Sequence, residues 1–420
     1  MDIINTNRNL TCLADNMVYP ADSSETGINL NEIVVGSTGC GKTMSLCIPR
    51  LLHTYDSSIV VPIAKSSIMN KFSKLFEERG YEVELIDFVN PEKSTVGYDP
   101  FDYIKSDEDV IHLVKNMLEG GKEFRGGNYD PFWDESAESM VGSIFQLNRE
   151  NEKSGGKKAT LVDSVELFRN LNAKYTGSYP RTRLDAAFEN LEKQKPGNQA
   201  CMLWRTYSTA PVKTASTIHS CANNAMDKFM SENIKKFVSK ERKIDFASLG
   251  EKKTILFIKT SPMNTALYNF INIMYSDMFR CMFETAESSE DGRLEIPVHI
   301  ICDDFACGSR IVNFENYISI FRAAGISVSL LLQSESQLFA MYGESGGKTI
   351  INNCDTYVYM GGMDYDTCFN ISRKINKPLE QVIGLPKEQV IVFRRGMQPR
   401  FAKRYRTLED PEYIRAMQLA

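Results

Sequence analysis

The chain has 420 residues, 42% of them hydrophobic and 25% charged, and carries a formal net charge of -5. That length is too great for one simple core; it implies two or so domains, or one large α/β domain carrying an insertion. The acidic balance excludes a uniformly basic surface, so any nucleic-acid contact has to come from a local patch or a lined channel.

In chain order, the first forty residues lead to a short apolar strand, Ile33-Val34-Val35, which stops at Gly36. A helical pattern follows over 42–55, with Pro49 expected to bend it. Residues 58–63 read as a buried strand, 66–79 as an amphipathic helix and 81–88 as another strand. Strand and helix alternating at this spacing predict a parallel sheet covered on both faces. From about 107 to 240 helical periodicity takes over and convincing strands are absent, which predicts an all-helical insertion. Within it, Asp130 is placed to cap a helix whose first residue is Pro131. Gly- and Lys-rich linkers interrupt at 120–127 and 153–158. Strand-helix alternation resumes with strands at 254–258, 298–302, 327–332, 356–360 and 389–393.

The turn after the first strand carries the chemistry. Gly36-Ser37-Thr38-Gly39-Cys40-Gly41-Lys42-Thr43 fits G-x-x-x-x-G-K-[ST]. Glycines let such a loop curl so that its N–H groups point at phosphate oxygens; Lys42 then neutralises the β and γ charge and the Thr43 hydroxyl ligates Mg²⁺. The bare pattern arises by chance in ordinary glycine-rich turns, but here it follows an apolar strand and opens a helix. A phosphate loop of this kind needs a carboxylate on a neighbouring strand. Val298-His299-Ile300-Ile301-Cys302-Asp303-Asp304 is an apolar strand ending in two acids. Asp303 is expected to hold the metal through water and Asp304 to orient the attacking water; the alternative is an acidic strand end that caps the next helix. Gln333 ends the strand at 327–332 and reads as a γ-phosphate sensor or as a helix-capping glutamine.

Arg394, Arg395, Arg400, Lys403, Arg404 and Arg406 form a run with no acid between them. It reads as a phosphate or nucleic-acid contact or as a solvated face, and a second cluster, Lys235, Lys236, Lys240, Arg242 and Lys243, reads first as a solvated face. Ten cysteines contain no C-x-x-C pair, and Cys302 and Cys307 are the closest couple. Cys40 lies inside the phosphate loop, so reduced thiols of a cytosolic compartment are expected. Four scattered histidines, His53, His112, His219 and His299, argue against zinc. No apolar run approaches the ~18 residues of a membrane span, and the first ten residues lack the features of a signal peptide.

Taken together, these blocks resemble the type IV secretion coupling proteins, the TraG/TraD-like conjugative DNA-transfer ATPases. The likeness runs from 31 to about 413. It rests on the phosphate loop through Ile48-Pro49, Tyr98-Asp99-Pro100-Phe101, Asp130-Pro131-Phe132-Trp133 and Cys302-Asp303-Asp304-Phe305-Ala306. It continues through Gly325-Ile326-Ser327, Leu332-Gln333-Ser334 with Gln337-Leu338, and Asn353-Cys354-Asp355 followed by Gly361-Gly362.

The resemblance implies an α/β, RecA-like P-loop NTPase domain with a parallel-rich central sheet (1–105 and 245–420) and an inserted all-α domain (106–244). It implies ATP and Mg²⁺ as cofactors and a homo-hexameric ring in the active state; without the anchor that would raise local concentration, the isolated chain is expected to be monomeric. Relaxase-bound single-stranded DNA, a type IV secretion channel and membrane-anchored components are the implied partners, met in the cytoplasm at the inner face of the membrane. Gln333 falls on the family's glutamine. Arg322 falls on an arginine that would reach the neighbouring subunit's nucleotide, with Arg394 and Arg395 as further choices; Arg394, Arg395, Arg400, Lys403 and Arg404 are the expected DNA contacts.

Four features depart from the family pattern. Ile63-Ala64 stand before Lys65 where Asp-Pro is usual, Asp304 replaces glutamate, Ala324 replaces an arginine, and the N-terminal anchor is missing. The shorter acid at 304 suggests normal Mg-ATP binding with slow turnover. It keeps open a second function, an ATP-gated, slowly hydrolysing receptor for protein substrates. A DNA pump for chromosome or virion packaging is a third reading, opposed by the helical insertion.

Overall fold

The structure, a computed structural model, describes residues 7–119, 131–172, 183–261, 263, 265–303, 305 and 310–420. Its contacts divide the chain into an α/β unit of Met1–Thr95, Asp245–Asn264 and Met278–Ala420, and a helical unit of Val96–Ile244 and Thr265–Asp277.

The α/β unit is built on a nine-stranded sheet. Its strands are β3 (Glu32–Val35), β4 (Ser58–Ile63), β5 (Glu82–Asp87), β6 (Thr254–Lys259) and β7 (Val298–Cys302), followed by β8 (Ile326–Leu332), β9 (Thr356–Tyr359), β10 (Gln389–Arg394) and β11 (Arg400–Lys403). They lie in the order β11-β10-β9-β3-β8-β7-β4-β6-β5. The seven strands from β9 to β5 run parallel, whereas β10 and β11 are antiparallel additions at one edge. Strands such as β7 and β8 are mostly apolar and buried along their whole length because both faces are covered. Helix Ser67–Glu78 buries Phe72, Leu75 and Phe76 against the same core as Ile59, Val61, Phe257 and Leu331. Each of those aromatic side chains contributes roughly 1.5–3 kcal/mol of burial.

Two local features differ from the sequence reading. The helix after the phosphate loop begins as a π turn, Thr43–Cys47, and becomes α-helical only at Ile48–Leu52, with Pro49, which has no N–H to give to the π turn, in the first α-helical turn. Before β3 the chain also forms an antiparallel hairpin of β1 (Leu10–Ala14) and β2 (Met17–Pro20), turning at Asn16 with φ 59°. Asp15-Asn16 between two apolar runs is a hairpin signal that explains this. Asp15 N donates to Lys403 O at 2.8 Å, which ties the hairpin to β11.

The helical unit contains Asp107–Glu119, Phe132–Lys153, Leu161–Asn172, Arg183–Gln194, Gln199–Ser208, Val212–Met226 and Glu232–Ser239, with no strand among its described residues. Aromatic pairs fill it: Phe188 stacks on Trp204 at 4.5 Å and Phe101 meets Phe145 at 5.5 Å. The proposed cap Asp130 lies outside the described residues, and Pro131 directly precedes the helix Phe132–Lys153.

Candidate functional site

The parallel strands all point one way, so their C-terminal ends form a single edge, and ligands of open α/β sheets bind at such an edge. The phosphate loop leaves β3 there. Glycine is required at two kinds of position in it. A Cβ on Gly36 would lie 2.6 Å from Cys40 Sγ and 2.9 Å from Met360 Cβ. Gly39 and Gly41 have φ of 75° and 89°, which side-chain-bearing residues rarely adopt. Neighbouring strands hold the loop: Gly36 N donates to Leu332 O at 3.1 Å and Ser37 N to Gly361 O at 2.9 Å. Ser37, Thr38 and Gly39 are exposed at its crest.

Lys42 is 6% exposed, yet it has no acid partner among the described residues. Its Nζ donates to Gly36 O at 2.6 Å and to Ser37 O at 3.3 Å, so the ammonium lies back over the loop's own carbonyls. Thr43 Oγ1 donates to Asp303 Oδ2 at 2.7 Å across 260 residues of sequence. The two predicted magnesium ligands are therefore brought together, a hydroxyl and a carboxylate in the pairing that a P-loop metal needs. Beneath Asp303, burial pushes the Cys302 thiol up to about 12, with the Asp303 charge adding to it, so that sulfur stays protonated.

Gln333 follows β8, the strand between β3 and β7, and the register sets Leu332 opposite Val35, immediately before the loop. Gln337 Nε2 donates to Gln333 Oε1 at 3.4 Å, which orients that amide. Asp304 lies outside the described residues. Arg322 sits in the last turn of helix Phe314–Ala324, at the sheet edge opposite its own phosphate loop, with Nη2 donating to Gly27 O at 3.3 Å.

The basic run does not form one patch. Arg394 stacks over the Tyr19 ring at 3.9 Å, Arg395 pairs with Asp355 at 3.6 Å, and Arg406 pairs with Glu409 at 3.2 Å and Asp15 at 3.8 Å. Arg400 and Lys403 are exposed on β11 without an ion pair among the described residues. Arg404 turns to the phosphate loop instead: Nη1 donates to Cys40 O and Nη2 donates to Met360 O at 3.1 Å. Its Nε is buried and has no hydrogen-bond partner among the described residues. Thr407, three residues on, donates its hydroxyl to Met44 O in the π turn. Sequence reasoning missed this bracing of the loop by 404–407. The signal lay in register: Lys403 pairs with Gln389 and ends β11, so Arg404 escapes the strand's side-to-side alternation.

Among the described residues no group of histidine, cysteine and acid side chains is arranged to hold a metal by itself, nine cysteines are free, and no helix is long and apolar enough to cross a membrane.

Comparison with known proteins agrees with this geometry. The family described as Type IV secretory system Conjugative DNA transfer matches residues 21–378. No curated protein matches the chain in sequence. Among solved structures, the unbound bacterial conjugative coupling protein TrwBdeltaN70 superposes with a TM-score of 0.65 at 16% identity, covering 96% of this chain and 90% of that one. The plasmid coupling protein TrwB in complex with ADP and Mg²⁺ gives 0.61 at 16% identity, with 89% and 84% covered. VirB4 of Thermoanaerobacter pseudethanolicus gives 0.57 at 10% identity, with 96% and 98% covered. These likenesses establish the RecA-like P-loop fold.

Proposed function

The chain belongs to the type IV secretory system conjugative DNA transfer family, and on that premise we propose that it is an Mg-ATP-driven coupling protein that passes relaxase-bound single-stranded DNA to a secretion channel. The observation that carries this reading is the 2.7 Å bond from Thr43 to Asp303 beside a buried Lys42 that rests on loop carbonyls. The solved TrwB complexes contain ADP with Mg²⁺ or a non-hydrolysable ATP analogue. In this chain Lys42 would leave Gly36 O for the β- and γ-phosphates, while Thr43 and Asp303 would open to admit the metal between them. The metal, when bound, neutralises charge developing on the transferring phosphoryl group. Gln333 and Asp304 are proposed to orient the attacking water, and Arg322 or the Arg394-Arg395 pair to complete the neighbour's site in a hexameric ring.

Single-stranded DNA should stimulate ATP hydrolysis by the purified protein several-fold, and more strongly at low salt, because phosphate contacts release counterions. Hydrolysis that DNA leaves unchanged at every salt concentration would reject translocation and favour the nucleotide-gated receptor.

A further inference from the structure

The sheet edge opposite the phosphate loop, where β7 and β8 begin, holds a cavity of about 610 Å³. The two edges are separated by the length of the strands, ~16 Å for the five residues of β7. Four arginines line the cavity, Arg8, Arg50, Arg293 and Arg322, together with three acids, Asp22, Glu25 and Asp56.

The charges do not neutralise one another in pairs. Among the described residues, Arg8 is the one arginine of the four with an acid within 4.0 Å, Glu25 at 3.6 Å. Asp22 is committed to its own turn, where its carboxylate accepts from Ser24 N at 2.7 Å and from Ser24 Oγ at 2.6 Å. Asp56 is exposed. Arg50, Arg293 and Arg322 have no carboxylate within 4.0 Å among the described residues.

Arg50 is the most constrained of these, at 4% exposure. Its Nη1 donates to Leu10 O at 3.0 Å and to Thr11 Oγ1 at 2.6 Å. Its Nε lies 3.0 Å from His299 Nε2, and Nη2 lies 3.3 Å from Nδ1. Ser327 and Ser329 hydroxyls contact the same two ring nitrogens at 2.7 Å each. Burial, and then the Arg50 charge, hold His299 well below the usual imidazole range, so the ring is neutral. Every direct partner of this buried guanidinium is thus neutral. The acid whose charge acts on it, Glu32, is not a direct partner but accepts a hydrogen bond from the Ser329 hydroxyl, so the guanidinium itself stays bonded to neutral groups at the cavity wall.

We propose that this cavity is an anion site, separate from the phosphate loop, that takes a phosphate-bearing ligand. Guanidinium groups bind phosphate oxygens in a bidentate fork, and three of the four arginines lining this cavity have no carboxylate within 4.0 Å among the described residues. The volume falls in the range of ligand clefts, roughly 300–1,000 Å³, which accommodates several linked phosphates. Free polyphosphate and the DNA backbone present this same chemistry.

The experiment uses the full chain carrying Lys42→Ala, so that the phosphate loop does not contribute, with inorganic tripolyphosphate as the probe in calorimetry at low salt. One site per chain is expected. Arg293→Ser combined with Arg322→Ser, both away from the core, should weaken it by about tenfold or more, as expected for loss of charge-assisted hydrogen bonds. Arg50→Met should weaken it as well; if that variant unfolds, the surface pair still decides. Displacement of tripolyphosphate by oligo(dT) would assign the DNA backbone as the source, and no displacement would assign a free polyphosphate. Either result supports the site. The proposal is overturned if tripolyphosphate does not bind, or if it binds the double variant as tightly as its parent. It is equally overturned if Arg322→Ser slows ATP turnover of the assembled protein while tripolyphosphate binding by the Lys42→Ala protein stays unchanged.

Discussion

Both units pair buried charge within the fold, as Lys259 does with Asp87 at 3.1 Å and Arg79 with Glu412 at 2.6 Å in the α/β unit, but the α/β unit also rests cations on partners that a ligand can replace. In the helical unit, several buried polar groups are held by partners that belong to the fold. Glu150 pairs with Lys153 at 2.7 Å and Lys195 at 2.5 Å, Tyr98 donates to Asp277 at 2.6 Å, and Trp204 Nε1 donates to Asp185 at 3.0 Å. Lys243 rests on Phe237 O and Val238 O, the last carbonyls of helix Glu232–Ser239, where a cation complements the helix dipole. In the α/β unit, Lys42 and Arg404 lie on carbonyls of the phosphate loop itself, and Thr43 occupies an oxygen of Asp303. Those are arrangements that a ligand can exchange for stronger ones. Buried polar chemistry therefore marks function where its partners are replaceable, and marks architecture where they are not.

The comparison is tested most severely at Lys42. Its bond to Gly36 O is a place-holder, so Lys42→Ala should leave the thermal unfolding transition almost in place. Mg-ATP binding measured by fluorescence titration should fall by about a hundredfold or more, in line with loss of a preorganised charge on a phosphoryl group. Binding within a few-fold of the wild type, or a large drop in stability, would make Lys42 a structural residue like those of the helical unit.

Legibility in the sequence followed the same division. The seven parallel strands could be read because most are largely apolar, buried runs bounded by turn residues, and the phosphate loop because its glycines and lysine have fixed spacing. Asp303 was legible as a carboxylate ending such a run. The β1–β2 hairpin and β11 were harder: they are four or five residues long, and β11 is largely exposed, so no apolar periodicity announces it. The basic run was legible as charge but not as separate sites. Side chains two residues apart share a face of a strand, but Arg404 lies past the end of β11 and leaves that pattern for the phosphate loop. Tyr98-Asp99-Pro100-Phe101, read only as a family block, proves to be a structural knot in the helical unit.

That knot offers a pH test. Burial raises the Asp99 carboxyl from 3.8 to about 7, against the pull of the Phe101 and Leu161 N–H groups that it accepts at 3.1 and 3.2 Å. The folded state therefore holds this proton more tightly than the unfolded state. Its contribution to stability is complete below about pH 4 and is lost as pH rises toward 7. Both tryptophans, Trp133 and Trp204, lie in the helical unit, so their fluorescence during urea unfolding reports on that unit alone. Its midpoint should fall between pH 5 and 8, by an amount on the order of 1 kcal/mol or more. Asp99→Asn keeps an acceptor without the charge and should remove most of that slope, ending more stable than the wild type at pH 8. A midpoint that rises with pH, or an unchanged slope in the variant, would mean that Asp99 is ionised in the folded unit.

The smallest expected effect lies within the basic run, and it separates residues of the same charge by their partners. Arg400 and Lys403 are exposed and unpaired among the described residues, so nothing in the fold depends on them. Under the coupling-protein reading they meet the DNA backbone. Replacing both with alanine should weaken single-stranded DNA binding only several-fold and equally for different sequences. The slope of log affinity against log salt should flatten by about 1.4, two contacts at ~0.7 each. Arg404 predicts the reverse pattern. Its guanidinium spans Cys40 O and Met360 O, and a Cβ on Gly41 would lie 3.2 Å from its Nη1, so it is packed onto the loop rather than offered to solvent. Arg404→Ala should leave the salt slope for DNA unchanged and weaken nucleotide binding, while Arg404→Lys, which keeps the charge but cannot span two carbonyls, should restore little of it. If the Arg404 change instead flattens the salt slope as the Arg400 and Lys403 changes do, the three act as one patch and the distinction between exchangeable and exposed cations fails on this edge of the sheet.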